Sequence, residues 1–552
     1  MTQHALAQLF MQRIASGLKR RSVQSCSRWA EQYRMMGKPF PGPWTFKYHP
    51  WLRAMHDCKS RVMVGQKCAQ VGYTETALNK TFFNIDILGN SVLYVLPTTT
   101  PGASNFSASR FDPALSASPH IQSLFSDVKN IGHKRSGTAN LFIRGSKSRS
   151  QLKELGAAFL VLDEMDEMDQ ANITLVLERM SGQVDKQSFY LSTPTVKGKG
   201  INKHFSDSTQ DHYFFPCPCC GRYTELTFPE CLIIPTDNWL DPKIHDSHLI
   251  CKECNGVLPH EAKPEFLGRG RWEPTFAGRD VRGFYVNQLY SSTVDPVEMA
   301  VAYLKSRTNP ADEQEFYNSK LGMVHEVEGA CVTEEDIESC IANIKTRDNS
   351  PANSFVTMGV DVGKWLHFEI DQWFFDGNAA GTDVNLNAQA RVLRAGKVES
   401  FEELDQLMRQ YQINFCVIDA NPETRKSLGF SRRFWGHLRV CYYNVGINQR
   451  EINLGPEDTH KVSVDRTSWL DLSLARYRNR SIALPLDTSM EYKTNLQSLV
   501  RVYEKDRNGN PRGRYVKRDN DEDHFAHARN YSEIALRIGA SQSGSRNITG
   551  VL

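Results

Sequence analysis

Three groups of residues have the types and spacing that chemistry can use. The first begins with Lys67-Cys68-Ala69-Gln70-Val71-Gly72-Tyr73-Thr74, directly after the apolar run Val62, Met63 and Val64. A phosphate-binding loop needs a tight turn after a strand, a cation near the terminal phosphates and a hydroxyl for Mg²⁺. Measured against G-x-x-x-x-G-K-[ST], Gly72 and Thr74 keep their places, Lys67 stands at the first glycine and Tyr73 at the lysine. Lys67 can supply the cation from the other end of the loop; the alternative is an ordinary strand-to-helix turn. Further along, Phe159-Leu160-Val161-Leu162 ends in Asp163-Glu164. This is the form of a buried strand that delivers carboxylates to its C-terminal end, where ligands bind in open α/β sheets. Asp163, with Thr74, would hold the Mg²⁺ of Mg-ATP, and Glu164 would orient and deprotonate the attacking water. A strand running into an acidic helix cap is the competing reading, because Asp166, Glu167 and Asp169 extend the acidic run. Ser192-Thr193-Pro194, after Phe189-Tyr190-Leu191, stands where helicase-like and translocase ATPases sense the γ-phosphate. Arg144 and Arg149 are candidates for charge stabilisation or plain surface residues.

The second group is Cys217-Pro218-Cys219-Cys220 and Cys251-Lys252-Glu253-Cys254, a C-x₂-C pair repeated. Each turn presents two thiolates, and four thiolates complete a tetrahedral structural Zn²⁺. The separation exceeds the ~15–20 residues usual between such pairs, which a β-ribbon insertion absorbs. Cys219 could replace Cys220 only with an altered turn.

The third group is three separated acids. Asp361 follows the run Val356 to Val360, Asp419 follows Phe415 to Ile418, and Asp523 stands in Asp521-Glu522-Asp523-His524 before a helix. Carboxylates from two strands and a helix can share two Mg²⁺ (or Mn²⁺) ions, which stabilise the attacking and leaving oxygens of a phosphodiester. That arrangement is a ribonuclease-H-like nuclease core; strand-terminal aspartates that merely cap the next element are the alternative. Basic residues gather nearby: Arg425, Lys426, Arg432 and Arg433, then Arg507, Arg512, Arg514, Lys517 and Arg518 around Asn508-Gly509-Asn510-Pro511. The latter reads as a hairpin with a positive tip, suited to tracking phosphates or simply solvated.

The elements that must position these groups follow from the hydrophobic pattern. Strand-like runs Arg61–Val64, Ser91–Leu96, Phe159–Leu162 and Ser188–Leu191, with helical stretches between them, predict a parallel sheet covered by helices. Short strands bounded by proline and glycine are expected around the cysteines, and residues 280–345 read as mainly helical. The fold class expected is α/β: a P-loop ATPase, a zinc-ribbon-bearing middle region and a ribonuclease-H-like nuclease domain. The expected divisions are a basic arm over 1–40 carrying Lys19, Arg20 and Arg21, an ATPase core over 41–205, a zinc ribbon and helical linker over 206–348, a nuclease over 349–540, and a tail over 541–552.

Composition bounds the possibilities. The 552 residues are 40% apolar and 23% charged, which supports several cores and excludes a wholly disordered chain. Lys and Arg total 66 against 63 Asp and Glu, so net charge alone does not announce a nucleic-acid partner, although local patches can. No apolar run approaches a membrane span, and no secretory signal opens the chain. Thirteen cysteines, mostly scattered singly, suit a reducing cytosol with one metal site.

In order, these motifs resemble the large subunits of tailed-bacteriophage terminases of the lambda type. The resemblance covers about residues 40 to 540. It is carried by Gly42-Pro43-Trp44 with Tyr48-His49-Pro50, the Ala69–Thr74 loop, Leu162-Asp163-Glu164, Ser192-Thr193-Pro194, Cys217 and Cys220, Gly359-Val360-Asp361, and Asp523-His524 through Tyr531. It implies an ATP-driven motor that moves viral double-stranded DNA into a procapsid and a metal-dependent endonuclease that cuts the concatemer. By position it implies that Lys67, Gly72, Tyr73 and Thr74 bind triphosphate, with Tyr48 or an aromatic neighbour against adenine. Glu164 would be the catalytic acid, and Asp361, Asp419 and Asp523 the nuclease ligands. Related enzymes often read D-H-x-x-D-A-x-x-Y, whereas His527 fills the second acid here, which leaves Asp521 and His527 as substitutes for Asp523. A small terminase subunit, through residues 1 to 40, a portal on the procapsid and a homo-oligomeric ring are the implied partners, in the host cytoplasm with no membrane. A helicase-type DNA translocase with a structural C-terminal domain, or a stand-alone nuclease with a vestigial ATP loop, are the rival functions.

Overall fold

Residues 25–125, 128–130, 132–152, 156–375, 383–444, 451–456, 459–505, 509–519 and 521–542 are described in a computed structural model. Most of the expected basic arm, including Lys19, Arg20 and Arg21, lies outside these residues, as do Arg507, Asn508 and the tail from 543. The chain divides into two units between His325 and Glu326.

In the first unit, seven apolar runs become strands: β1 (Val62–Lys67), β2 (Val92–Leu96), β3 (Ala139–Gly145), β4 (Phe159–Asp163), β5 (Gln187–Ser192), β6 (Asp211–Pro216) and β7 (Arg282–Val286). They lie in the order β6-β7-β1-β5-β4-β2-β3, each parallel to its neighbours. Every residue of β2 and β4 is buried, as a parallel sheet covered on both faces requires. Helix α1 (Cys26–Tyr33) and helix α2 (Tyr73–Phe83) pack on this sheet's apolar side through Trp29, Leu78 and Phe82. Because all seven strands run the same way, the ends of β1, β5 and β4 bring Lys67, Ser192 and Asp163 to one edge.

The sheet runs past residue 205, and β7 corrects the expectation that 280–345 is mainly helical. Arg282–Val286 is a five-residue run with Gly283, Phe284 and Val286 buried, inserted between β6 and β1. Helices begin only at Pro296, where Asp295 caps the Glu298 amide, and at Pro310, where Asn309 caps the Asp312 amide. Around the cysteines, Leu232–Ile233, His248–Ile250 and Val257–Leu258 form a small antiparallel sheet.

The second unit is built on a mixed sheet. β8 (Phe355–Val362), β9 (Leu366–Phe375) and β10 (Ala388–Val398) are antiparallel in succession. On the other side of β8, β11 (Phe415–Asp419), β12 (Leu438–Tyr443) and β13 (Lys461–Val464) run parallel to it and to one another. Helix α3 (Arg466–Arg478) leads towards the hairpin β14 (Leu499–Lys505) and β15 (Pro511–Lys517). Helix α4 (His524–Gln542) then lies directly on β8. Gly359 permits that approach, since a Cβ there would stand 2.0 Å from the Ala528 carbonyl oxygen. Beneath the helix, Arg529 and Arg476 pair with Glu369, Asp371 and Glu533, all essentially sealed from solvent. These buried pairs fix the orientation of α4 and hence of the residues at its start.

Candidate functional site

At the carboxyl edge of the first sheet, Lys67 Nζ lies 3.0 Å from Glu164 Oε1. Burial works against the Lys67 charge, yet the Glu164 and Asp163 carboxylates outweigh it and raise its pKa. Asp163 is fully enclosed, and burial, with the neighbouring Glu164, pushes its pKa up against the pull of Lys67 and of the Tyr94 and Thr74 hydroxyls. The Tyr94 hydroxyl donates to Asp163 Oδ2 at 2.6 Å, whereas Oδ1 is buried with no hydrogen-bond partner. A buried orphan acceptor beside a threonine hydroxyl suits a divalent cation. Glu164 holds φ +60°, a strained conformation for a non-glycine residue, which turns its half-exposed carboxylate towards Lys67.

Gly72, at φ +84°, ends the loop and opens α2. The loop is fixed by contacts that sequence reasoning did not identify: Trp51 Nε1 donates to the Val71 carbonyl and Gln288 Nε2 to the Ala69 carbonyl. Tyr73 turns away from the loop. Its ring packs over Gly65, where a Cβ would fall 2.7 Å from Tyr73 Cδ2, and its hydroxyl is buried without a partner. Only its backbone N–H is available at the loop. Tyr48 is partly exposed and stacks on Phe40 with centroids 4.0 Å apart, and its neighbour His49 borders Gly72.

Asp166, which in the sequence merely lengthened the acidic run, is a clamp. It accepts hydrogen bonds from the Thr195 amide, the Thr195 hydroxyl and the Ile201 amide at 2.7–2.9 Å, so it ties the turn after β4 to the end of β5. The Ser192 hydroxyl accepts from the Asp166 amide. Nothing in the spacing marks this role. Arg144 is spent on the carbonyls of Ile143 and Gly132, whereas Arg149 is exposed.

The four cysteines converge. The sulfurs of Cys217, Cys220, Cys251 and Cys254 lie within 4.8 Å of one another, with Cys217 and Cys254 at 3.9 Å. Tetrahedral Zn²⁺ with bonds of ~2.3 Å requires sulfurs about 3.8 Å apart. Backbone amides of Cys219, Glu253 and Gly256 point at Cys217, Cys251 and Cys254, as in thiolate-bearing turns. Cys219 is exposed, points to the Val257 carbonyl and stands outside the group.

In the second unit, the β8–β11 register aligns Val360 with Ile418, so Asp361 and Asp419 stand side by side one position on. The helix brings the third acid: His524 Nδ1 lies 2.7 Å from Asp361 Oδ2, and Asp523 is the residue before it. Burial and then the Asp361 charge push Asp419 up to about 6. Asp523, though also largely buried, is held down to about 2 by hydrogen bonding and charge from His527, with Lys517 and Arg466 adding to it. His527 Nε2 lies 3.3 Å from Asp523 Oδ2 and 3.2 Å from an Arg466 nitrogen, and Nδ1 lies 3.2 Å from the Tyr443 hydroxyl. Both ring nitrogens are therefore engaged, which leaves Asp523 as the member of that pair with free oxygen valence. Asp521 is partly exposed just ahead. Among the described residues only the cysteines meet the 4.8 Å spacing; the three aspartates share a rim without closing to it. Two neighbouring carboxylates, Asp361 buried and Asp419 partly so, suit a divalent cation. Tyr443 and Arg466 escaped sequence reasoning because they lie in other elements and carry no motif, whereas His524 stood in the motif without its bond to Asp361 being read. The expected hairpin is present, but Arg514 pairs with Glu504 and Arg518 with Glu326.

Residues 38–272 match the family described as phage terminase large subunit gpA, ATPase domain, and residues 281–435 match terminase large subunit gpA, endonuclease domain. The chain belongs to the phage terminase large-subunit family. This terminase is an ATPase and a DNA endonuclease, the motor and nuclease of viral DNA packaging. Each rival function accounts for only one of the two matched domains. The terminase also uses nucleotide and divalent metal, as both domain families do. Among solved structures it is similar to the large terminase of bacteriophage HK97, with 11% identity over 94% of this chain and 99% of that one and a TM-score of 0.49. It is similar to the large terminase of a thermophilic bacteriophage, with 10% identity over 89% and 98% and a TM-score of 0.31. The terminase nuclease of thermophilic phage G20c aligns with 36% of this chain and 94% of its own length, at 14% identity and a TM-score of 0.22. No curated protein matches. Among the described residues of the terminase no helix is long and apolar enough to cross a membrane.

Proposed function

We propose that Lys67, Gly72, Thr74, Asp163 and Glu164 form the ATP-hydrolysing centre and that Asp361, Asp419 and Asp523 form the DNA-cutting centre. The observation that carries the motor assignment is the 3.0 Å contact between Lys67 and Glu164. A γ-phosphate entering there takes the ammonium, which frees the Glu164 carboxylate for water. Glu164 accepts the proton as the water oxygen bonds to phosphorus and the bond to the ADP oxygen breaks. Thr74 and Asp163 would hold Mg²⁺, which neutralises charge on the phosphates. Tyr73 contributes its backbone N–H, and Tyr48 offers a stacking face near the base. Asp166 keeps the Ser192–Thr195 segment in step with Glu164, so a change at the γ-phosphate reaches the strand end that senses it.

At the second centre, Asp361, Asp419 and Asp523 would hold Mg²⁺ or Mn²⁺, which stabilises the attacking and leaving oxygens of the phosphodiester. His524 orients Asp361, and His527 orients Asp523. Cys217, Cys220, Cys251 and Cys254 would hold a structural Zn²⁺ with no open position. The same reading counts residues 41–205, together with β6 and β7, to the motor, the rest of 206–348 to the zinc ribbon and linker, and 349–540 to the nuclease. A small terminase subunit, the procapsid portal and a homo-oligomeric ring complete it, in the host cytoplasm.

Glu164→Gln tests the motor assignment: hydrolysis falls on the order of 10²–10⁴-fold, while binding of a fluorescent ATP analogue persists. Normal turnover by this variant would remove Glu164 from the role. Asp419→Asn should abolish Mn²⁺-dependent plasmid nicking, and unchanged nicking contradicts the second assignment.

A further inference from the structure

A cavity of about 1040 Å³ opens at the edge of the motor sheet opposite the phosphate loop. Arg61, on its wall, is the residue before β1, and Lys186 precedes the start of β5. Lys67 and Ser192 end the same two strands. Six strand residues at ~3.3 Å each put about 20 Å between the two edges. The cavity is therefore separate from the ATP site.

Its charge is one-sided. Arg28, Lys59 and Arg61 are exposed, Lys186 is half-buried, and among the described residues none of the four side chains has an ion-pair partner. Of the acids on the wall, Asp57 is committed to the Ser27 amide and hydroxyl at 2.9 and 2.6 Å, which leaves Asp185. At the base, Lys80 is 4% exposed and donates to the His56 and Cys58 carbonyls at 3.0 Å each, which leaves one of its three N–H bonds. The start of α1 adds the positive end of a helix. Like charges gathered around one concavity repel unless an anion sits among them. Arg28 also lies ahead of residue 38, where the family match begins.

We propose that this cavity is a second DNA contact of the motor, gripping the phosphate backbone of duplex DNA at the amino edge of the sheet. The donors are flexible cations, which suit phosphates and read no base. A grip of this kind holds any sequence equally, as a translocating motor must.

The test is salt-dependent binding of a fluorescein-labelled random-sequence duplex to the full chain, followed by anisotropy without nucleotide. In Arg61→Gln/Lys186→Gln the plot of log affinity against log salt should flatten by about 1.8, near 0.9 for each cation removed. Asp185→Lys should steepen it, a change that misfolding does not produce. An unchanged slope in both variants overturns the proposal. Inorganic phosphate and ADP serve as competing probes at matched ionic strength. If the double variant loses their binding but keeps the DNA slope, the cavity is a free-anion site and the proposal fails. If packaging is lost while the DNA slope is unchanged, the cavity serves an acidic protein, and the proposal fails equally.

Discussion

The motor and the nuclease each bury carboxylates, but they balance them in opposite ways. In the motor, Asp163 has its cation close by: Lys67 reaches both it and Glu164, and burial nevertheless drives Asp163 towards protonation. In the nuclease, Asp361 and Asp419 stand side by side with His524 2.7 Å from Asp361, and burial with the Asp361 charge pushes Asp419 up to about 6. Asp523, though largely buried, is held down to about 2 by His527, with Lys517 and Arg466 adding to it. The motor thus sets one ammonium beside two carboxylates, a cation that on the proposed reading a triphosphate can borrow. On the proposed reading the nuclease centre takes its remaining counter-charge from a metal ion, so cutting should follow metal supply. A third arrangement, the four cysteines, brings four sulfurs within 4.8 Å of one another and on the proposed reading leaves no position for substrate.

The largest effect is expected where the closed site is opened. Cys251→Ser should abolish stoichiometric zinc and make the segment around residues 217–258 protease-sensitive, since structural zinc supplies about 10–16 kcal/mol in isolated fingers. Cys219→Ser should retain the metal, because its sulfur lies outside the group. Zinc analysis with limited proteolysis checks both. Next, Glu533→Gln should cost the second unit about 3–5 kcal/mol, as breaking a buried pair leaves Arg476 and Arg529 short of a partner. Glu533 is held at about 2, below its unfolded value of ~4.3. Its contribution is therefore full above the unfolded range and is lost as pH falls through about 2. Denaturation at several pH values should show the gap between the two proteins closing in acid. A smaller effect concerns the acid nearest a cation in the nuclease: His527→Ala should weaken Mn²⁺ binding by about 10–100-fold, as losing the group that orients a ligand does. Calorimetry reads this, and unaltered affinity would place Asp523 outside the metal's reach. Smallest is Tyr73→Phe, which removes a buried hydroxyl with no partner and should be neutral or stabilising by about 1 kcal/mol in thermal melting.

How much of this was visible in the sequence also differs between the two regions. The motor's acids are consecutive, follow a four-residue apolar run and sit at the end of a wholly buried strand, so local pattern was enough to pick out Asp163 and Glu164. The tyrosine in the loop was opaque, because its direction depends on Gly65, a residue on the preceding strand. β7 was missed since five residues with an ambiguous pattern become a strand only when β1 and β6 flank them. In the nuclease, two strand aspartates and one ahead of a helix were legible as a set, but weighing Asp523 against His527 depends on Tyr443 and Arg466, which arrive from β12 and α3. Asp166 shows the limit most clearly: its partners Thr195 and Ile201 come from a separate turn, and no spacing rule connects them.

The central claim is that one chain holds two chemistries that can be lost independently. The most direct measurement is ATP turnover and Mn²⁺-dependent nicking in parallel on the full-length Glu164→Gln and Asp361→Ala proteins. Glu164→Gln should nick plasmid without turning over ATP, and Asp361→Ala should turn over ATP without nicking. Loss of both activities in either folded variant would contradict that claim.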